Sequence, residues 1–144
     1  SKAFDSVYWP LLLAILGARG FPDKWIKWIE SLLTSGKTAI LLNGNPGPWI
    51  QCKNGLRQGD PLSPFLFIIV ADVLQRMIIQ ACEQNLLAHP ISASLSCPVL
   101  QYTDDTLIII RADTDAAANL KRILDDFSNA TGLTINFSKP LSPP

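Results

Sequence analysis

The segment Leu100-Gln101-Tyr102-Thr103-Asp104-Asp105-Thr106-Leu107-Ile108-Ile109-Ile110-Arg111 sets two adjacent carboxylates between two apolar runs. The run after them is β-branched and short, with turn-type residues before it, and reads as a buried strand. The run before them, Val99 to Tyr102, reads as its partner, which puts Asp104 and Asp105 at the tip of a hairpin whose arms are fixed in a core. A carboxylate held against apolar walls is costly unless something cationic compensates it. Mg²⁺ answers that need, since one or two carboxylates with substrate phosphates and water commonly hold it, and Mn²⁺ is the alternative ion. Asp-Asp is also good hairpin-turn chemistry. Taken alone, the tetrad from Tyr102 to Asp105 leaves turn and metal site equally open.

Working outward, the 144-residue chain fits one domain with a moderate core, 48% hydrophobic and 17% charged, with a formal net charge of zero. That balance lacks the basic field of an autonomous nucleic-acid binder, though it suits a piece of a larger one whose basic surfaces lie elsewhere. Cys52, Cys82 and Cys97 show no metal-ligand spacing and read as reduced, buried thiols of an intracellular protein. No signal-peptide pattern opens the chain, and no apolar run reads as long enough to span a bilayer. Both ends read as cut: the chain begins on Ser1-Lys2-Ala3-Phe4-Asp5 and stops at Pro143-Pro144, just after a strand-like segment.

In order, residues 1–7 are expected to finish a strand. Trp9-Pro10 opens a helix through Leu16, stopped by Gly17 and Gly20. Asp23 is the expected cap of a second helix, with Trp25, Trp28, Ile29 and Leu32 as its buried stripe and both tryptophans in the core. Residues 37–42 and 49–53 form a hairpin around Asn43-Gly44-Asn45-Pro46-Gly47-Pro48. Ser63 as N-cap and Pro64 in the first turn start a long, largely buried helix over 65–84, followed by a loop over 85–98. After the carboxylate hairpin, Asp113 or Thr114 caps a helix with Ala118, Leu120, Ile123, Leu124 and Phe127 inside, ended by Gly132. Residues 133–137 read as a last strand. The fold class expected from this order is α+β, with helices packed on an antiparallel sheet.

Four stretches in this order resemble the reverse transcriptase palm of non-LTR (LINE-type) retrotransposons, the plant elements especially. Ser1-Lys2-Ala3-Phe4-Asp5 is similar to the end of D-F-S-K-A-F-D. Gly55-Leu56-Arg57-Gln58-Gly59-Asp60-Pro61-Leu62-Ser63-Pro64 is a near-complete copy of the group's second palm motif and the most specific of the four. Tyr102-Thr103-Asp104-Asp105 resembles Y-A-D-D, with Thr103 for alanine. Gly132-Leu133-Thr134-Ile135-Asn136-Phe137-Ser138-Lys139 is similar to the G-L-x-I-N-x-x-K that follows.

The resemblance implies one partial palm domain over residues 1–144, polymerase palm-like in fold, with fingers and thumb outside it. It implies an RNA-directed DNA polymerase in which two metal ions clamp the attacking and leaving oxygens of nucleotidyl transfer. Asp104 would bind metal directly, and Asp105 would support the site or bind more weakly. Phe4 would lie under the sugar and exclude a 2′-hydroxyl by bulk, while Gln58 and Gly59 would line the nucleotide pocket. Arg57 would pair with a phosphate or with Asp60. Lys139 would be the general acid for pyrophosphate, or an exposed strand-end lysine. Implied partners are an RNA template, a DNA primer, deoxynucleoside triphosphates and the rest of a retroelement polyprotein, with no membrane, working in the cytoplasm and nucleus.

The metal-binding aspartate of the first motif would lie two residues before Ser1, and Asp5 is no substitute, so the chain by itself is expected to be inactive. A second reading is a non-catalytic remnant of a retroelement, kept as a structural or interaction module. A third, a metal-dependent nuclease built on Asp104 and Asp105, lacks further acidic ligands and a base, since His89 sits in a proline-bearing loop and reads as a bystander.

Overall fold

Helices and short antiparallel ribbons alternate along the chain, an α+β arrangement. The structure, a computed structural model, describes residues 2–102 and 105–136, and of Lys2 only the backbone. It divides into two compact units, Ser1–Val70 and Ala71–Pro144.

The first unit opens with a five-residue helix, α1 (Lys2–Ser6), where a strand end was expected. Ser6 Oγ donates to the Ala3 carbonyl, which closes the turn locally and draws the backbone away from extension. Helix α2 (Trp9–Ala18) carries Pro in its first turn as its sequence demands, and buries Trp9, Leu12 and Leu16. Gly20, at φ 81°, turns the chain after it.

Helix α3 (Asp23–Thr34) packs on α2, but Pro22 rather than Asp23 stands at its N-cap. Only Ile29 of its stripe is buried; Trp25 is 45% exposed and Trp28 54%, so neither tryptophan is core. The stripe is continuous in sequence, yet the described residues cover only part of it. Lys24 Nζ sits 5.0 Å from the Trp28 ring centroid, and Phe21 tilts against Trp25.

The expected hairpin forms in two pieces. β1 (Lys37–Thr38) pairs antiparallel with β4 (Ile50–Gln51), and β2 (Leu41–Leu42) with β3 (Asn45–Pro46). Asn43 and Gly44 both take positive φ, 51° and 81°, as a two-residue hairpin turn of matched twist requires.

Helix α4 (Ser63–Glu83) runs from the first unit into the second. Its buried residues Leu66, Val70, Leu74, Ile78 and Ala81 recur at helical spacing on one stripe, while Phe65 and Ile68 are exposed. The helix is therefore amphipathic rather than buried all round. Just before it the Asp60 carboxylate accepts the Leu62 N–H at 2.8 Å and the Asp60 carbonyl accepts the Ser63 N–H, a turn that leads into the helix. Ser63, expected as the N-cap, is the first residue of the helix. With 21 residues, α4 is long and apolar enough to cross a bilayer by length and composition, which overturns the expectation that no run is. The core helix of a water-soluble protein passes the same test, and the middle of α4 carries an Asp72–Arg76 ion pair at 2.8 Å.

In the second unit a loop follows α4, and His89 Nδ1 accepts the Ile91 and Ser92 N–H groups within it, each at 3.2 Å. β5 (Val99–Tyr102) pairs antiparallel with β6 (Asp105–Ile108). Helix α5 (Thr114–Thr131) begins and ends as its sequence signals: Asp113 accepts the Asp115 N–H, and Gly132 takes the left-handed conformation at φ 77°. Its buried face is Ala116, Leu124, Phe127 and Thr131, with Ala118 exposed against expectation.

The last strand is absent over residues 133–136. Thr131 Oγ1 accepts the Leu133 N–H and Ser128 Oγ donates to the Leu133 carbonyl, so both ladder groups of Leu133 are already engaged by α5. Among the described residues the strands make three separate two-stranded ribbons rather than one sheet.

Candidate active site

Two of the quoted stretches meet inside the first unit. Gly55 N–H donates to the Val7 carbonyl at 2.8 Å, and the Leu56 N–H donates to the Phe4 carbonyl. Gly55 has φ 86°, and a Cβ on it would lie 2.5 Å from the Asp5 carbonyl oxygen. Two separate constraints, a left-handed backbone and a backbone-to-backbone contact, thus demand glycine here. Trp9 Nε1 donates to the Gly55 carbonyl at 2.7 Å, so the turn is held from both sides.

On this junction the Phe4 ring is half-buried and stacks on Phe67 of α4, centroids 4.6 Å apart and planes 14° from parallel. Gln58 Nε2 donates to Asp5 Oδ1 across a long 3.4 Å. A cavity of about 750 Å³ lies alongside, lined among others by Asp5, Lys37, Gln51, Arg57, Gln58 and Asp60. Phe4 and Gly59 are not among its lining residues. Gly59 keeps φ 85° with open space where a Cβ would go, so here its backbone angle, not a close neighbour, accounts for glycine. Arg57 does not pair with Asp60; the Asp60 carboxylate holds Leu62, while the guanidinium lies 3.3 Å from where a Cβ on Gly36 would be. Lys37 and Arg57 give the cavity two cationic side chains, a chemistry that suits a phosphate-bearing ligand.

In the second unit the β5–β6 register brings Tyr102 opposite Asp105. Thr103 and Asp104 lie outside the described residues, as does Lys139. Asp105 opens β6 and is exposed. The arms are not sunk in a core: Tyr102 is 80% exposed, and Leu100 and Leu107 are largely exposed. A two-stranded ribbon has two faces to cover, and the described residues cover neither fully. Gln101 anchors it by donating from Nε2 to the Ala71 carbonyl at 3.1 Å.

Among the described residues no group of three or more His, Cys, Asp or Glu side chains gathers to hold a metal ion. Of the two adjacent carboxylates only Asp105 is described, and its exposed oxygens are hard donors of the kind a hydrated divalent cation takes. Trp9, Lys37, Gln51 and Phe67 carry no sign in the sequence of a part in this site, only of their helices and strands. Phe67 is one apolar residue in an unbroken apolar run, and only its ring geometry sets it apart.

The chain matches the family described as "Reverse transcriptase (RNA-dependent DNA polymerase)" over residues 1–140. It is 34% identical over 140 residues to a "Retrovirus-related Pol polyprotein from type-1 retrotransposable element R2" of Popillia japonica, covering 96% of this chain and 22% of that protein. A protein of the same description from Nasonia vitripennis is 32% identical over 122 residues, covering 85% of this chain and 11% of the relative. An uncharacterised mitochondrial protein of Arabidopsis thaliana is 41% identical over 70 residues, 46% of this chain and 57% of that one. The chain spans about a fifth or less of the length of the two Pol polyproteins.

Proposed function

We propose a catalytic reading for a chain that belongs to the reverse transcriptase (RNA-dependent DNA polymerase) family: it supplies palm residues for RNA-templated DNA synthesis within a non-LTR element polymerase. The observation that carries the reading is the Gly55–Asp5 junction, which fixes residues of the first and second motifs beside a cavity with two cationic side chains. Arg57 and Lys37 would neutralise the triphosphate of an incoming deoxynucleotide, and Gln58 would hydrogen-bond to it. Phe4, braced by Phe67, would lie against the sugar and reject a 2′-hydroxyl. Asp104, with Asp105 beside it, would hold Mg²⁺ or Mn²⁺. When bound, such ions supply charge compensation to the attacking and leaving oxygens of the transferred phosphoryl group. Lys139 would donate a proton to departing pyrophosphate. RNA template, DNA primer and deoxynucleoside triphosphates are the corresponding substrates.

The 144-residue chain taken alone, with no group of three or more His, Cys, Asp or Glu side chains placed to hold a metal ion among its described residues, is expected to be inactive. The test is primer extension on an RNA template with Mg²⁺ and deoxynucleotides, comparing this chain with the full-length polypeptide that carries it. Extension by the longer polypeptide that disappears on Asp104→Asn supports the reading. Silence in a folded longer polypeptide overturns it in favour of a non-catalytic remnant, and extension by the short chain overturns the expectation of its inactivity.

A further inference from the structure

Away from the residues assigned above, Cys82 stands in the last turn of α4 and Cys97 two residues before β5, both within the second unit. Their Sγ atoms are 3.1 Å apart, and the Cys97 N–H points at Cys82 Sγ from 3.5 Å. Both are free thiols. Residues 1–70 hold Cys52 and no other cysteine, so Cys52 has no counterpart in its own unit.

We propose that Cys82 and Cys97 are a reversible modification site, closing to an intrachain disulfide when the protein meets a hydroperoxide and fixing the start of β5 to the end of α4. The inference goes beyond the polymerase reading and does not depend on it. A disulfide needs its sulfurs about 2.05 Å apart, so the pair must approach by roughly 1 Å. The intervening segment, rich in turns and serines, can absorb that shift without disturbing a ladder.

The two sulfurs take different parts. Cys82 is half-buried and meets the oxidant first: its sulfur bonds to a peroxide oxygen, the O–O bond breaks, and the other oxygen leaves as water with the thiol proton. Cys97, 4% exposed, then attacks the sulfenic sulfur; the S–S bond forms, the S–O bond breaks, and the hydroxyl leaves as water with the Cys97 proton. Two thiols lose two electrons and the peroxide is reduced to two waters. Burial first, then the hydrogen bond to Cys82 and its charge, push the Cys97 thiol up to about 12, which shields it from direct oxidation and leaves the first encounter to Cys82.

The experiment treats the reduced, folded chain with hydrogen peroxide, alkylates the remaining thiols and digests with trypsin. No Lys or Arg lies between Arg76 and Arg111, so one peptide, 77–111, carries both cysteines. It is expected lighter by two hydrogens and unalkylated, with Cys52 alkylated. Cleavage after Glu83 should leave its two pieces joined until reductant is added. Closure should be at least about tenfold faster in the folded chain than in urea, because the fold has already brought the sulfurs together. In Cys97→Ser, dimedone should label Cys82. Two alkylated cysteines in 77–111, equal rates with and without urea, or a dimedone adduct on Cys52 instead of Cys82 would each overturn the proposal.

Discussion

A Cβ added to Gly55 would sit 2.5 Å from the carbonyl oxygen of Asp5 and 2.8 Å from its Cα, in a backbone already at φ 86°. Nothing flexible can yield there, since the three nearest atoms are all Asp5 main chain. Gly59 shares the positive φ without any neighbour within 4 Å. Gly55→Ala should therefore lose roughly 3 kcal/mol, from strain and overpacking together. Gly59→Ala should lose about 1 kcal/mol from the backbone angle alone. Urea midpoints of the two variants check this, and equal losses would contradict it.

The Phe4–Phe67 stack gives the proposed sugar contact a rigid back wall. Phe67→Ala should let the Phe4 ring turn and relax discrimination against ribonucleotides by roughly tenfold in the full-length polymerase, with deoxynucleotide incorporation little changed. Phe67→Tyr keeps a ring in place and should keep discrimination. Competition assays with paired ribo- and deoxynucleotides measure both.

The ends of α5 are each fixed by one residue. Asp113→Ala removes the acceptor for the Asp115 N–H and should cost about 1 kcal/mol. Gly132→Ala, at φ 77°, should cost about the same through backbone strain. The two sites are an α5 length apart, so the double variant should lose close to the sum in chemical denaturation.

Stability should also fall in alkali. The Cys97 thiol titrates near 9.0 when unperturbed and is raised to about 12 in the fold, by burial first and then by Cys82. Between those values the unfolded chain has lost a proton that the folded chain keeps, so unfolding gains ground as pH rises. The contribution is intact below pH 9 and is lost progressively towards 12. Urea titrations of the reduced chain across that window should show a steeper decline than Cys97→Ala does.

The sequence and the structure agree where the signal is local. Pro10 in the first turn of α2, Asn43-Gly44 in the hairpin, and Asp113 with Gly132 around α5 each act through their own backbone. Agreement ends where a residue's role depends on what lies opposite. Leu133 carries strand chemistry but spends its N–H and C=O on Thr131 and Ser128. Trp25 and Trp28 sit at core spacing on α3 and remain exposed. Arg57 had Asp60 as an obvious partner three residues on, yet that carboxylate is engaged by Leu62. Gln58 and Arg57 border a cavity that Gly59, expected beside Gln58 in a nucleotide pocket, does not line, while Asp104 and Lys139 lie outside the described residues.

The bond from Trp9 Nε1 to the Gly55 carbonyl has an optical consequence. Trp25, Trp28 and Trp49 are 45–71% exposed, and Trp9 is the buried one, 9% exposed. Its indole is the fluorophore sheltered from aqueous quenchers, and it touches the turn that joins the first two motifs. Iodide should silence the other three and leave an emission at shorter wavelength that comes from Trp9. The chain thus carries a built-in reporter, readable without any label, of whether Gly55 is seated.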